Sequence, residues 1–178
     1  METLAAFVRS MGEIQGLVIA DNKLLSRIPT FFALARQWSL PVAAAYALQG
    51  FSACAAVASV VYVWSRPAAH ELRAATLVCA TLAVSPYLYD YDLTWYGLVI
   101  AWYGRFGLVY GFRRYEREGL ILIAFAPLMG RLVVPHAHFQ FLPILTLAIL
   151  TVLVTRVVKE RRGEKGASSA ALVKGISR

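Results

Sequence analysis

The stretch SPYLYDYDLTWY, residues 85–96, sets Asp90 and Asp92 two positions apart inside an otherwise apolar region. Carboxylates at that spacing offer two chemistries. Together they can hold a divalent cation, and either alone can act as a general base. Sharing requires extended backbone, because positions i and i+2 lie on one face of an extended segment and on nearly opposite sides of a helix. Pro86 disfavours helix at Ser85, so residues 87–92 are expected to run extended, with Tyr91 turned to the other face. The plainer alternative is an acidic turn at the level of lipid headgroups. Tyr87, Tyr89, Tyr91, Trp95 and Tyr96 would anchor it, rings in lipid and polar tips in water.

Other groups can join these acids. Arg131 can snorkel to headgroups, pair with Asp90 or Asp92, or hold a phosphate. His136 and His138 form an i, i+2 pair without a third ligand, which reads as a polar turn more readily than as a metal site. Lys23, Arg27 and Arg36 flank RIPTFFALAR, whose Phe31, Phe32, Leu34 and Ala35 supply an apolar side. That segment reads as a short interfacial helix.

The elements that must position these groups are set by composition. Of 178 residues, 59% are hydrophobic and 16% charged, and the mean hydropathy is +0.60. An ordinary soluble domain is about 45–50% apolar and about 25% charged, so a membrane protein is expected. The net charge of +8 raises nucleic acid as a partner. A nucleic-acid binder gathers its cations into a stripe, whereas these fall in short clusters between apolar runs, so nucleic acid is set aside. Cys54 and Cys79 lie inside apolar runs and read as small packing residues. The opening METLAAFVRSMGEIQG lacks the apolar core of a secretory signal.

Five spans follow from the apolar runs, at about 40–64, 74–89, 93–112, 120–134 and 139–158, with a break at PHAH. The fold class is therefore an all-α integral membrane bundle of about five transmembrane helices over 40–158. An interfacial helical region (1–39) precedes it and a charged tail (159–178) without fixed structure follows. The loops at 65–73 and 105–118 and the chain from Arg156 onwards carry two, four and seven Lys and Arg, thirteen of the eighteen. The positive-inside rule then puts the N-terminus outside and the C-terminus in the cytoplasm, with Asp90, Asp92, Arg131 and the histidines on the outer face. In the first span, Ala43, Ala47, Gly50, Cys54 and Ala58 form a small-residue stripe expected to pack within the bundle, and Gln49 is expected to make an interhelical hydrogen bond. A transporter would carry ionisable groups within its spans; here they sit at span ends.

Two stretches resemble glycosyltransferase family 87. RIPTFFALARQWSLPVAAAYALQ is similar to the segment before a late transmembrane helix of that family, and SPYLYDYDL to its Pro-Tyr, Asp-Tyr-Asp-Leu motif; the resemblance runs over about residues 10–158. It implies an integral-membrane enzyme of the GT-C type. Such an enzyme moves a sugar, often mannose, from a polyprenyl-phosphate carrier to an acceptor outside the cytoplasmic membrane. The catalytic acid of that class normally lies in the first outer loop, which this chain lacks. The resemblance therefore implies a C-terminal portion, incomplete or dependent on a partner chain that supplies upstream helices. Arg131, Arg27, Lys23, Tyr87, His136 and His138 would contact substrate, and Asp90 and Asp92 would support the cavity wall or, if the chain acts alone, serve in catalysis. No organic cofactor is implied; a divalent cation stays open. The alternative is a non-catalytic membrane scaffold that packs on other transmembrane helices.

Overall fold

A computed structural model describes residues 22–137 and 139–176. Among them there is no strand. The elements are α1 (Asn22–Leu25), α2 (Phe31–Gln37), α3 (Val42–Trp64), α4 (His70–Val84), a 3₁₀ turn (Asp90–Trp95), α5 (Tyr96–Tyr110), α6 (Glu116–Ala137) and α7 (Leu142–Ile176). Prolines and one glycine punctuate them. Pro41 opens α3 and Pro67 follows its end. Gly111, at φ 82°, closes α5 in a conformation that a Cβ would disfavour.

Val42–Trp64 and Leu142–Glu160 are the two described helical stretches long and apolar enough to cross a membrane. The other expected spans differ for physical reasons. Helices α4 and α5 have 15 residues each, about 22 Å of rise against a hydrocarbon core of about 30 Å. Helix α6 has 22 residues, with Glu116, Arg117 and Glu118 in its first turn and Arg131 towards its other end, and contains the apolar run 120–134. It also runs through Pro135, so the expected break at PHAH comes only after Ala137. At the other end of the chain, α7 continues to Ile176 through the segment expected to lack structure. Lys, Glu, Arg and Ala there are strong helix formers.

Helix α4 is central, packing on α3, α5 and α7. Its Leu72, Ala75 and Cys79 meet Val99 and Phe106 of α5 and Leu150 and Leu153 of α7 in the main core. Both cysteines are free thiols, Cys79 buried and Cys54 exposed. Helix α3 turns Ala45, Gln49, Ser52, Ala56 and Val63 inwards. The small-residue stripe expected to pack within the bundle faces the other way: Ala43, Ala47, Gly50, Cys54 and Ala58 are all exposed.

A second, smaller core gathers Leu25, Ile28, Phe32, Ala33, Ala35 and Ala45. This corrects the interfacial-helix reading of RIPTFFALAR. The apolar residues of α2 are covered by protein, with Phe32, Ala33 and Ala35 at 0% exposure. Polar groups hold the helix in. Thr30 Oγ1 caps α2 by accepting from Ala33 N at 3.2 Å and donates to Pro86 O at 3.1 Å. Phe32 N donates to Gln49 Oε1 at 3.3 Å.

The two ends of the bundle differ. One gathers α1, α2, the 85–95 connection and residues 139–140, where Trp38 stacks on Phe139 with ring centroids 6.0 Å apart. The other is basic. There Arg66 lies over Tyr62, Arg73 over Trp64 and Arg117 over Phe112. Arg105 Nε is 3.5 Å from Glu71.

A candidate phosphate cleft at the α1–α6 end

Three segments far apart in sequence meet around a cleft of about 550 Å³ lined by Leu24, Arg27, Tyr89, Asp90, Pro127 and Arg131, among others. Each is placed by an identifiable device. Arg27 sits in the turn after α1, and Gln140 grips that turn from both sides: its Nε2 donates to Ser26 O at 3.3 Å and Ile28 O at 3.1 Å. Asp90 opens the 3₁₀ turn. The turn is fixed by Asp92, whose Oδ2 accepts from Tyr89 N at 3.0 Å, and by Asp92 N, which donates to Tyr89 O at 3.0 Å. Arg131 lies one turn beyond Pro127 on α6. Gly130 beside it lets α6 approach the start of α7: a Cβ there would stand 2.6 Å from Leu142 Cδ1.

The two acids therefore do different things. Residues 90–95 form a 3₁₀ turn where extended backbone was expected. At three residues per turn, i and i+2 point about 240° apart, so the carboxylates share no face. Asp92 caps the turn, while Asp90 lines the cleft half-buried. Tyr91, expected opposite the acids, also lines the cleft and stacks on Tyr89, centroids 5.6 Å apart and planes within 6°.

The electrostatics of the cleft centre on Asp90. Burial pushes its carboxyl above the ordinary carboxylate range, and Arg27 and Arg131 pull it partly back. Neither guanidinium forms an ion pair with it; the ion pairs among the described residues lie elsewhere. Two forked cations and one acid thus face open space. An anion with several oxygens is the complement of such a site, since guanidinium donors match phosphate in pairs.

The remaining expected site residues lie apart or outside the described side chains. Tyr87 is hydrogen-bonded to the Tyr46 hydroxyl and packs on Phe32, ring centroids 5.8 Å apart, in the smaller core. Lys23 is in α1 and His136 in the last turn of α6, by backbone alone. His138 lies outside the described residues, as does the opening segment 1–16. Gln49 fulfils its expected role as a helix-to-helix hydrogen bonder, its Nε2 reaching Ala83 O at 3.0 Å and Val84 O and Ser85 O at 3.2 Å each. Gln140 was not anticipated. Its partners are more than a hundred residues away, and an isolated Gln after a His-Phe pair carries no local signal.

Residues 1–86 match the model of glycosyltransferase family 87. The match covers just under half of the chain, which over that stretch is similar to glycosyltransferase family 87. It lies in the N-terminal part of this chain, beginning nine residues ahead of the 10–158 over which the resemblance was expected and ending well short of residue 158. It takes in Arg27, α2 and Gln49 and stops before Asp90. The Asp-Tyr-Asp motif and Arg131 therefore stand on geometry. No curated protein matches the chain, and no solved structure does.

Proposed function

We propose that the cleft binds the phosphate of a lipid-linked sugar donor, and that the chain is the carrier-binding part of a membrane glycosyltransferase. One observation carries this reading: Arg27 and Arg131, 104 positions apart in the sequence, flank the half-buried Asp90 in one cleft without being neutralised by it. The donor is a polyprenyl-phosphate sugar, with mannose the sugar the family resemblance suggests. In the transfer, the bond from the sugar's C1 to the carrier phosphate oxygen breaks and the acceptor hydroxyl oxygen bonds to C1. The electron pair leaves with the phosphate. Arg27 and Arg131 stabilise that developing charge. The acceptor proton goes to a base, and a carboxylate whose pKa is raised is the better one near neutral pH. Asp90 takes that role if the chain acts alone and supports the cleft wall if a partner chain supplies the base. Asp92 positions Asp90 through its cap. The family resemblance keeps Lys23, His136 and His138 as substrate-contact candidates, and a divalent cation between Asp90 and the phosphate is compatible with the site.

The membrane arrangement belongs to the same proposal: five crossings, N-terminus outside, C-terminus cytoplasmic, cleft at the outer surface of the cell membrane. The shorter helices α4 and α5 complete their crossings with non-helical backbone. That is tolerated at depth where it lines a cavity, as the 3₁₀ turn does. A second reading, a non-catalytic scaffold, draws on the outward-facing small residues of α3, which suit close approach by a partner helix.

The test is binding of polyprenyl phosphate to the purified chain in nanodiscs. Charge-assisted hydrogen bonds contribute about 1.5–3 kcal/mol each, so Arg27→Gln and Arg131→Gln should each weaken binding roughly tenfold or more. Transfer from polyprenyl-phosphate mannose should fall in Asp90→Asn. Unchanged binding in the double arginine variant would favour the scaffold.

A further inference from the structure

At the opposite end, α6 begins against α7 and encloses a second cavity of about 200 Å³ lined by Arg113, Arg114, Glu116, Val152, Arg156 and Lys159, among others. Four cations face one acid there, and that acid is already spoken for. Arg156, 5% exposed, donates from Nη1 to Glu116 Oε1 at 3.1 Å and Oε2 at 3.2 Å, from Nε to Glu160 Oε1 at 3.1 Å, and from Nη2 to Gly111 O at 2.9 Å. Glu116 also accepts from Arg113 N at 2.8 Å. Both acids beside the cavity are thus consumed by Arg156, and the charges of Arg113, Arg114 and Lys159 are left over in its walls. All three are exposed.

The depth of the cavity decides what kind of anion suits it. Its α7 wall runs from Val152 to Lys159, where the membrane-length apolar stretch ends at Glu160. Val152 is 42% exposed. A ligand seated among the cations has the exposed Val152 of the apolar α7 stretch alongside, the arrangement that receives a headgroup and its acyl chain together. A soluble anion would use the cations and ignore that wall.

We propose that this pocket binds an anionic membrane phospholipid, its phosphate held by Arg113, Arg114 and Lys159 and its acyl chain lying along Val152. The Arg156–Glu116 pair shapes the pocket and keeps Glu116 from neutralising it. This site is separate from the cleft at the other end, and it stands or falls independently of the sugar-transfer reading.

The experiment is native mass spectrometry of the full chain released from micelles doped with phosphatidylglycerol or phosphatidylcholine, with thermal stability in the same mixtures. Phosphatidylglycerol should remain bound and raise the melting temperature, and phosphatidylcholine should do neither. A cation near an anionic lipid contributes about 1 kcal/mol, so Arg113→Gln, Arg114→Gln and Lys159→Gln should each lower the apparent affinity about fivefold. Asp90→Asn should leave it unchanged. Equal retention of both lipids, or single variants that hold phosphatidylglycerol as wild type does, overturns the proposal. So does inorganic phosphate that competes fully at millimolar concentration, because the apolar wall then adds nothing. The single variants leave Arg156 and Glu116 intact, so a folding defect does not mimic the predicted loss.

Discussion

Replacing Gln49 by Leu removes the one side chain that ties α3 to both α2 and the end of α4. In the wild-type protein its Oε1 accepts from Phe32 N, and its two amide hydrogens are shared among the carbonyls of Ala83, Val84 and Ser85. Ala83 O keeps a partner in the variant, since Ser52 Oγ also donates to it at 3.2 Å. Two groups are then stranded: the Phe32 amide and one carbonyl of the Val84–Ser85 pair. A buried polar group left unpaired costs about 1–3 kcal/mol, while hydrogen bonds between membrane helices average about 0.6 kcal/mol. With Gln49 only 4% exposed, the destabilisation expected is about 2–4 kcal/mol. At about 2–4 °C per kcal/mol for a chain of this size, the melting temperature should drop by about 4–16 °C. Ser52→Ala is the control and should cost under about 1 kcal/mol, because Ala83 O retains Gln49. The assay is thermal unfolding in detergent followed by tryptophan fluorescence. The same variant should weaken polyprenyl-phosphate binding, because the loosened segments carry Arg27 and Asp90. A Gln49→Leu protein that melts within a degree of wild type would show that the network is not what seats α2, and the account of how the cleft is held together would fail.

Two further outcomes follow from charge. The Asp90 carboxyl titrates above its unfolded value because burial disfavours its ionised form; the resulting penalty on folding is absent below the ordinary value of 3.8, grows as the pH rises towards the folded-state pKa, and is complete above it. Asp90→Asn should accordingly melt higher than wild type at pH 7, with the gap closing as the pH is lowered towards 4, even as transfer is lost; a lower melting temperature at pH 7 would contradict the burial argument. Removing one partner of a buried ion pair typically costs about 3–5 kcal/mol, so Arg156→Met, which strands Glu116 at 9% exposure, should be among the most damaging single changes. The double variant Arg156→Met/Glu116→Leu should recover much of that loss in the same unfolding assay, and strict additivity would mean the two side chains do not act as a pair.

Some of this was legible from the residues. Charges are few in this chain, and Arg27, Asp90 and Arg131 stood out because each interrupts or borders an apolar run. The structure gathers the three in one cleft at one end of the bundle. Gln49 was legible for the same reason, a polar group in an uncharged stretch that has to find a partner. What escaped notice depended on direction or on distance along the chain. Helical periodicity grouped Ala43, Ala47, Gly50, Cys54 and Ala58 on one face of α3, but it does not say whether that face looks in or out. The roles of Asp90 and Asp92 separated because the backbone chose a 3₁₀ turn, closed by the Asp92 cap, over extended chain. Arg156 looked like the first cation of a tail, and only Glu116, forty positions earlier, makes it a buried latch.

The grip of Gln140 on the carbonyls either side of Arg27 has a consequence for how the protein comes into being. The two contacts close loops of 114 and 112 residues, so the first cation of the cleft gains its final footing only after the connection between α6 and α7 has left the ribosome. Long-range closures of this kind are slow steps in folding. Until then the α1 turn waits without its clasp, and the cleft is finished last, by residues that never touch what it holds.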